Sequence, residues 1–85
     1  MVEEEEIVST AAAAAERVIF SRYDTGDIID YDVTVRYVDH EVSVDVYLDL
    51  RDSVDATDAE IQRVAQDAAR AAGLAADDFV AKSDT

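Results

Sequence analysis

The sequence predicts an α+β fold, a two-layer α-β-β-α unit in which an antiparallel β-hairpin is covered on one face by helices and completed by dimerisation. Three observations carry this. The apolar residues recur with a period near 3.6 toward both ends of the chain, the period changes to 2 in the middle, and the two period-2 runs meet across a short loop that lands their apolar residues on one side. With 85 residues, no Pro, two Gly and no Ser/Gly-rich linker, one domain spanning 1–85 is expected.

The first helix is expected over about 4–22. Ile7, Ala11, Ala14, Ala15, Val18 and Ile19 recur at spacings of three and four among good helix formers. The run Glu3-Glu4-Glu5-Glu6 stands at the positive end of the helix dipole, with Arg17 and Arg22 toward the negative end. Asp24-Thr25-Gly26-Asp27 then reads as a breaker.

Strands are expected over about 29–38 and 41–50. Ile29, Tyr31, Val33, Val35 and Tyr37 are all odd-numbered, and Val42, Val44, Val46, Leu48 and Leu50 all even. A two-residue loop at Asp39-His40 sets Tyr37 against Val42, Val35 against Val44, Val33 against Val46, Tyr31 against Leu48 and Ile29 against Leu50. The other face then collects Asp30, Asp32, Thr34, Arg36, Ser43, Asp45, Tyr47 and Asp49. A slip of one residue would mix the faces, so this register is well specified. Asp-His lacks the Gly that a type I′ loop prefers, although both residues tolerate positive φ better than most.

A second helix is expected over about 58–81, with a break at Gly73 as the alternative. Thr57-Asp58-Ala59-Glu60 is a capping box in front of Ile61, and the stripe runs Ile61, Val64, Ala65, Ala68, Ala72, Ala75, Phe79. Either the helix passes through Gly73, the favoured reading, or it stops there with Leu74 packed back in a Schellman motif. A two-stranded sheet has two open edges and little core, and a single core in so small a chain supplies no more than about 3–5 kcal/mol. A homodimer is therefore expected, through hairpin edges or through the helical layers; a monomer with both helices on one face is the plainer alternative.

Asp plus Glu number 21 against 7 Lys plus Arg, a formal net charge of −14. Nucleic acid is thus not an expected partner, because neutralising phosphates takes a basic stripe and Arg17, Arg22, Arg36, Arg51, Arg63, Arg70 and Lys82 are scattered singly. Spread over the roughly 5,000 Å² surface of a folded chain of this mass, the carboxylates stand at about one per 240 Å². Concentrated salt screens such repulsion. Asp outnumbers Glu two to one, a single Lys stands beside six Arg, and Ala and Val dominate the apolar set. A halophilic protein is expected, and its acidity then reports habitat rather than function; the alternative is an acidic protein that binds a basic partner. No apolar run reaches the ~18 residues that span a bilayer, and the first residues are acidic where a secretory signal is basic. A cytoplasmic location with no membrane partner is expected. With no Cys, disulfides and thiolate chemistry are excluded.

Four stretches carry a family resemblance. Ala14-Ala15-Glu16-Arg17-Val18-Ile19-Phe20-Ser21-Arg22-Tyr23, Asp32-Val33-Thr34-Val35, Val44-Asp45-Val46-Tyr47-Leu48 and Arg63-Val64-Ala65-x-Asp67-Ala68-Ala69 resemble the small archaeal family catalogued as domain of unknown function 3194, in its haloarchaeal form, from about Val8 to Phe79. The resemblance implies an α-β-β-α fold and no established activity. Members tend to be encoded near the β subunit of the chaperone prefoldin and near translation and transcription genes, which implies a household context.

No catalytic residue and no cofactor is expected. His40, at the hairpin tip beside Asp39 and Glu41, reads as a turn residue rather than a base or ligand. No Gly-rich phosphate loop occurs. Asp49, Asp52, Asp55 and Asp58 recur every three residues, as do Asp24, Asp27 and Asp30, and hard cations take oxygen ligands. Neither series has the spacing of a calcium loop, so loosely held counterions are the expected occupants, with the first series the weak candidate for a metal and Asp55 for a capping role. Tyr47 and Val38 fall on the polar sheet face, and with Tyr23 they are the candidate interaction residues, since aromatic anchors dominate interfaces. Tyr23 and Phe20 read first as core anchors under the hairpin. The function expected is a non-enzymatic interaction or accessory factor, linked through the resemblance to chaperone or translation machinery and binding an unidentified protein; a carboxylate-based divalent-cation binder or small enzyme is the alternative.

Overall fold

The computed structural model describes residues 4–39 and 41–83. Helix α1 (Glu4–Arg22) leads through a single 3-10 turn (Thr25–Asp27) into β1 (Ile28–Val38), which pairs antiparallel with β2 (Glu41–Leu50); α2 (Asp58–Ser83) closes the order. The fold is therefore α+β, α-β-β-α, with the hairpin covered on one face by both helices. Its Cα envelope is elongated, 47 × 19 × 15 Å.

Each helix buries one residue in four. Ile7, Ala11, Ala15 and Ile19 of α1 are fully buried, as are Ala68, Ala72 and Ala76 of α2, with Val64 continuing that line at 5% exposure. The two stripes join in one core. The helices run antiparallel: Arg22 at the end of α1 meets Asp67 near the start of α2, while Phe79 lies beside Glu5 and Ser9. Alanine fills most of this seam because the distance between helix axes is set by the side chains at the contact. The sequence stripe of α2 is corrected by one position, since Ala76 rather than Ala75 lies at the bottom of the seam.

The first turn of α2 is capped by Thr57, the Glu60 N–H donating to Thr57 Oγ1 at 3.1 Å; of the two bonds of the expected capping box this is the one formed among the described residues. Beyond it the helix passes through Gly73 without interruption. Apart from the adjoining residues and backbone of its own helix, no atom lies within 4 Å of the place a Cβ would take there, and the backbone is not in the left-handed region. Gly73→Ala is therefore expected to stabilise the protein by about 1 kcal/mol through helix propensity, raising Tm by about 4–8 °C in a circular dichroism melt. A fall in Tm would show that something approaches Gly73 closely in solution.

The register holds from Tyr31 opposite Leu48 to Val38 opposite Glu41 and changes at one place. Ile28, not Ile29, faces Leu50; Asp30 faces Asp49; Ile29 is the extra residue of a bulge and stands 59% exposed. The cause lies at the base of the hairpin. The Arg51 backbone N–H donates to the Asp27 carbonyl at 2.9 Å, and Arg51 Nε donates to the Gly26 carbonyl at 2.6 Å. This clamp brings Ile28 into the inner face and displaces Ile29 outward. At the tip Asp39 has φ 52°, the left-handed conformation that Asp tolerates; His40 lies outside the described residues.

On the inner sheet face only Leu48 and Leu50 are buried, while Val33, Val35, Tyr37, Val42, Val44 and Val46 are half-buried against the core. Phe20 fastens α1 to β1, its ring edge-on to Tyr31 with centroids 5.4 Å apart and planes at 88°.

Candidate functional site

With both helices on one side, the opposite sheet face is uncovered. Across it Asp30 faces Asp49, Asp32 faces Tyr47, Thr34 faces Asp45, Arg36 faces Ser43 and Val38 faces Glu41. Five carboxylates share the face with one cation, Arg36. Asp30 opposite Asp49 sets like charges directly across the ladder, which is unfavourable. Asp32 accepts a hydrogen bond from Thr34 Oγ1 at 3.3 Å. Arg36 has no ion-pair partner among the described residues.

Tyr47 is 55% and Val38 64% exposed. They do not form one patch. The register places Val38 six residues from the partner of Tyr47, a separation of about 20 Å along the strands. Tyr23 belongs to neither, because it packs half-buried against the core at the end of α1, where its backbone N–H donates to the Ile19 carbonyl at 3.0 Å. Phe20 and Tyr23 therefore do not make a common aromatic surface.

Two further apolar residues are exposed. Parity alone places Ile29 inward, and the bulge turns it out. Leu74, 63% exposed, lies two residues from both Ala72 and Ala76, which puts it on the far side of α2; helical phase alone marks it. Ile29 also lines a depression of about 190 Å³ together with Phe20, Ile28, Asp30 and Tyr31. No β2 residue contributes to it; it lies between the end of α1, the 3-10 turn and the first residues of β1.

The carboxylate series is only partly gathered. Asp49, Asp52 and Asp58 line a depression of about 250 Å³ at the hairpin base, without Asp55 and with Arg51 among them. Among the described residues no group of three or more carboxylates comes together in a way that could hold a metal ion. The cap of α2 is made by Thr57, and Asp55 is exposed. No polar or charged side chain is buried among the described residues, so these carboxylates face water. No described helix is long and apolar enough to cross a membrane.

No family model and no solved structure matches the chain. An uncharacterised protein of the haloarchaeon Natronomonas pharaonis is 43% identical over 75 residues, which cover 88% of this chain and 84% of that protein. Identity at that level over most of both chains establishes common descent, and the chain belongs to the same family as this archaeal protein.

Proposed function

We propose that the protein is a non-enzymatic interaction factor of the haloarchaeal cytoplasm that binds another protein through the uncovered face of its hairpin, with Tyr47 as the anchor. One observation carries this reading: a tyrosine stands more than half exposed on a sheet face that no described element of the chain covers. Such a side chain offers large area at small entropic cost, and aromatic residues dominate interface energetics. Carboxylates that face water lack the opposed environments that acid-base pairs need, which favours binding over catalysis. The acidic composition and the haloarchaeal relative support a salt-adapted protein. The resemblance to domain of unknown function 3194 supports a partner in the chaperone or translation machinery. A divalent-cation binder is the second reading; the depression shared by Asp49, Asp52 and Asp58 favours it, and the guanidinium of Arg51 beside them weighs against it.

The test is affinity purification of the tagged protein from a haloarchaeal host, kept in about 2 M KCl so that charge repulsion stays screened. A stoichiometric partner captured by the native chain and lost from Tyr47→Asp is the expected result. Capture undiminished by Tyr47→Asp would move the site elsewhere, and recovery of the bait alone would overturn the binding reading.

A further inference from the structure

We infer that the free edge of β1 pairs antiparallel with the same edge of a second copy, about a two-fold axis at Val33, so that two hairpins form one four-stranded sheet. This surface is distinct from the Tyr47 face. Three independent features point to it.

The first is strand geometry. The sheet has two strands, so each keeps one edge without a strand partner among the described residues. The devices that blunt an edge include Pro, charged side chains, Lys above all, and bulges. β1 has neither Pro nor Lys, and its bulge sits at one extremity, leaving Asp30 to Val38 regular. Val33 is the midpoint of β1 (Ile28–Val38), and an axis there pairs the regular stretch Asp30 to Arg36 with its counterpart in the second copy.

The second is charge, which chooses between the edges. On the outer face β2 presents Glu41, Asp45 and Asp49 and no cation, so an axis at Asp45 sets that carboxylate against itself, and the equally central axis at Val46 sets Asp45 against Tyr47 and gives no carboxylate a cation within the strand. An axis at Val33 instead sets Arg36 of each copy opposite Asp30 of the other, twice. Arg36 lacks an ion-pair partner in its own chain among the described residues, and Asp30 already opposes Asp49, so the pairing neutralises the worst like-charge contact on the face. Shifting the axis to Asp32 opposes Asp32 to itself, and shifting it to Val35 leaves Arg36 opposite Thr34. An axis at Thr34 gives Arg36 a carboxylate, Asp32, but leaves the Asp30 and Asp49 conflict in place. Pairing β1 to β2 of the next copy is heterologous and generates open arrays.

The third is apolar surface. Val33 and Val35 are half-buried, and Phe20 and Ile29, 38% and 59% exposed, share a depression at the start of β1.

The chain contains no Cys, so any disulfide formed by a single-cysteine variant joins two copies. Residues directly opposite across an antiparallel pair have Cβ atoms about 4.5–5.5 Å apart, so Val33→Cys is expected to cross-link under mild oxidation while Asp45→Cys and Thr34→Cys remain largely single. Light scattering of the native protein should return twice the 9.3 kDa chain mass. In about 0.5 M KCl, Arg36→Glu should raise the dimer Kd about tenfold or more, and the reciprocal pair Arg36→Glu with Asp30→Arg should recover it. A monomeric native protein overturns the inference. So does a dimer that Val33→Cys fails to cross-link while its melt shows it folded, or one cross-linked preferentially through Asp45→Cys or Thr34→Cys. A monomer that still captures a partner through Tyr47 overturns the edge pairing and leaves the binding face standing.

Discussion

Ile19→Ala leaves the protein largely unfolded at room temperature. Ile19 and Ile7 are the largest fully buried side chains, and the neighbours that complete the seam are alanines, which have no side-chain reach with which to fill a cavity. Truncation of a buried Ile to Ala costs about 2–5 kcal/mol, with the upper part of the range where the site cannot collapse. The core of so small a domain supplies about 3–5 kcal/mol in total, so the loss is comparable with the whole. The far-ultraviolet signal in about 2 M KCl is the measurement, with Leu74→Ala as its partner. Leu74 is 63% exposed, and its truncation should change stability by less than about 0.5 kcal/mol. If Ile19→Ala melted within about 3 °C of the native chain, the helical seam would not be the core.

The second large effect needs no mutation. Spread over a sphere with the molecule's 5934 Å² of accessible area, a charge of −14 repels itself by about 6 kcal/mol in about 0.1 M salt and by about 2 kcal/mol in about 2 M. The unfolded chain, being more expanded, retains part of the repulsion at low salt, so the net gain in stability is about 2–3 kcal/mol. Tm is expected to rise by about 10–20 °C between those concentrations. Only two ion pairs are formed among the described residues, Arg22 with Asp67 at 3.4 Å and Lys82 with Asp78 at 3.0 Å, both exposed. Exposed pairs of this kind contribute little, so their screening by salt does not offset the gain. A melting temperature independent of KCl would show that the acidity serves a basic partner rather than a salty solvent.

Much of the architecture was legible because parity is an unambiguous signal. From Tyr31 to Tyr37 and from Val42 to Leu48 every apolar residue except Tyr47 shares the parity of its run, and the observed pairing follows it residue for residue. Parity failed where two apolar residues are adjacent. Ile28 and Ile29 satisfy either phase, and the choice is made by Arg51, which is remote in sequence and bonds to Gly26 and Asp27. The helical seam was legible in kind but not in detail. Within the run Ala11 to Ala15 nothing in residue type separates the two fully buried positions from the three between them, and in α2 the same ambiguity hid Ala76 behind Ala75. The exposure of Tyr47 and Val38 followed from their parity. The core packing of Tyr23 agrees with its first reading as an anchor, and its place beside Glu60, Arg63 and Val64 of α2 is the part that residues near it in sequence do not encode. The gathering of Asp49, Asp52 and Asp58 without Asp55 depended on the path of the chain from Arg51 to Ala56, shaped by backbone bonds from Val54 to Arg51 and from Ala56 to Val54.

The antiparallel seam also sets an order of events in folding. The hairpin closes through neighbours and can form within microseconds, but on its own it is marginal. Its apolar face has no floor until α1 and α2, joined only through everything between them, come together; Arg22 and Asp67, which meet across the seam, are 45 residues apart. On the ribosome α2 is made after all that it packs against, so α1 and the hairpin wait without a core until its last turns emerge. Proteolysis between Arg51 and Thr57 would release two fragments, neither of which retains an interior.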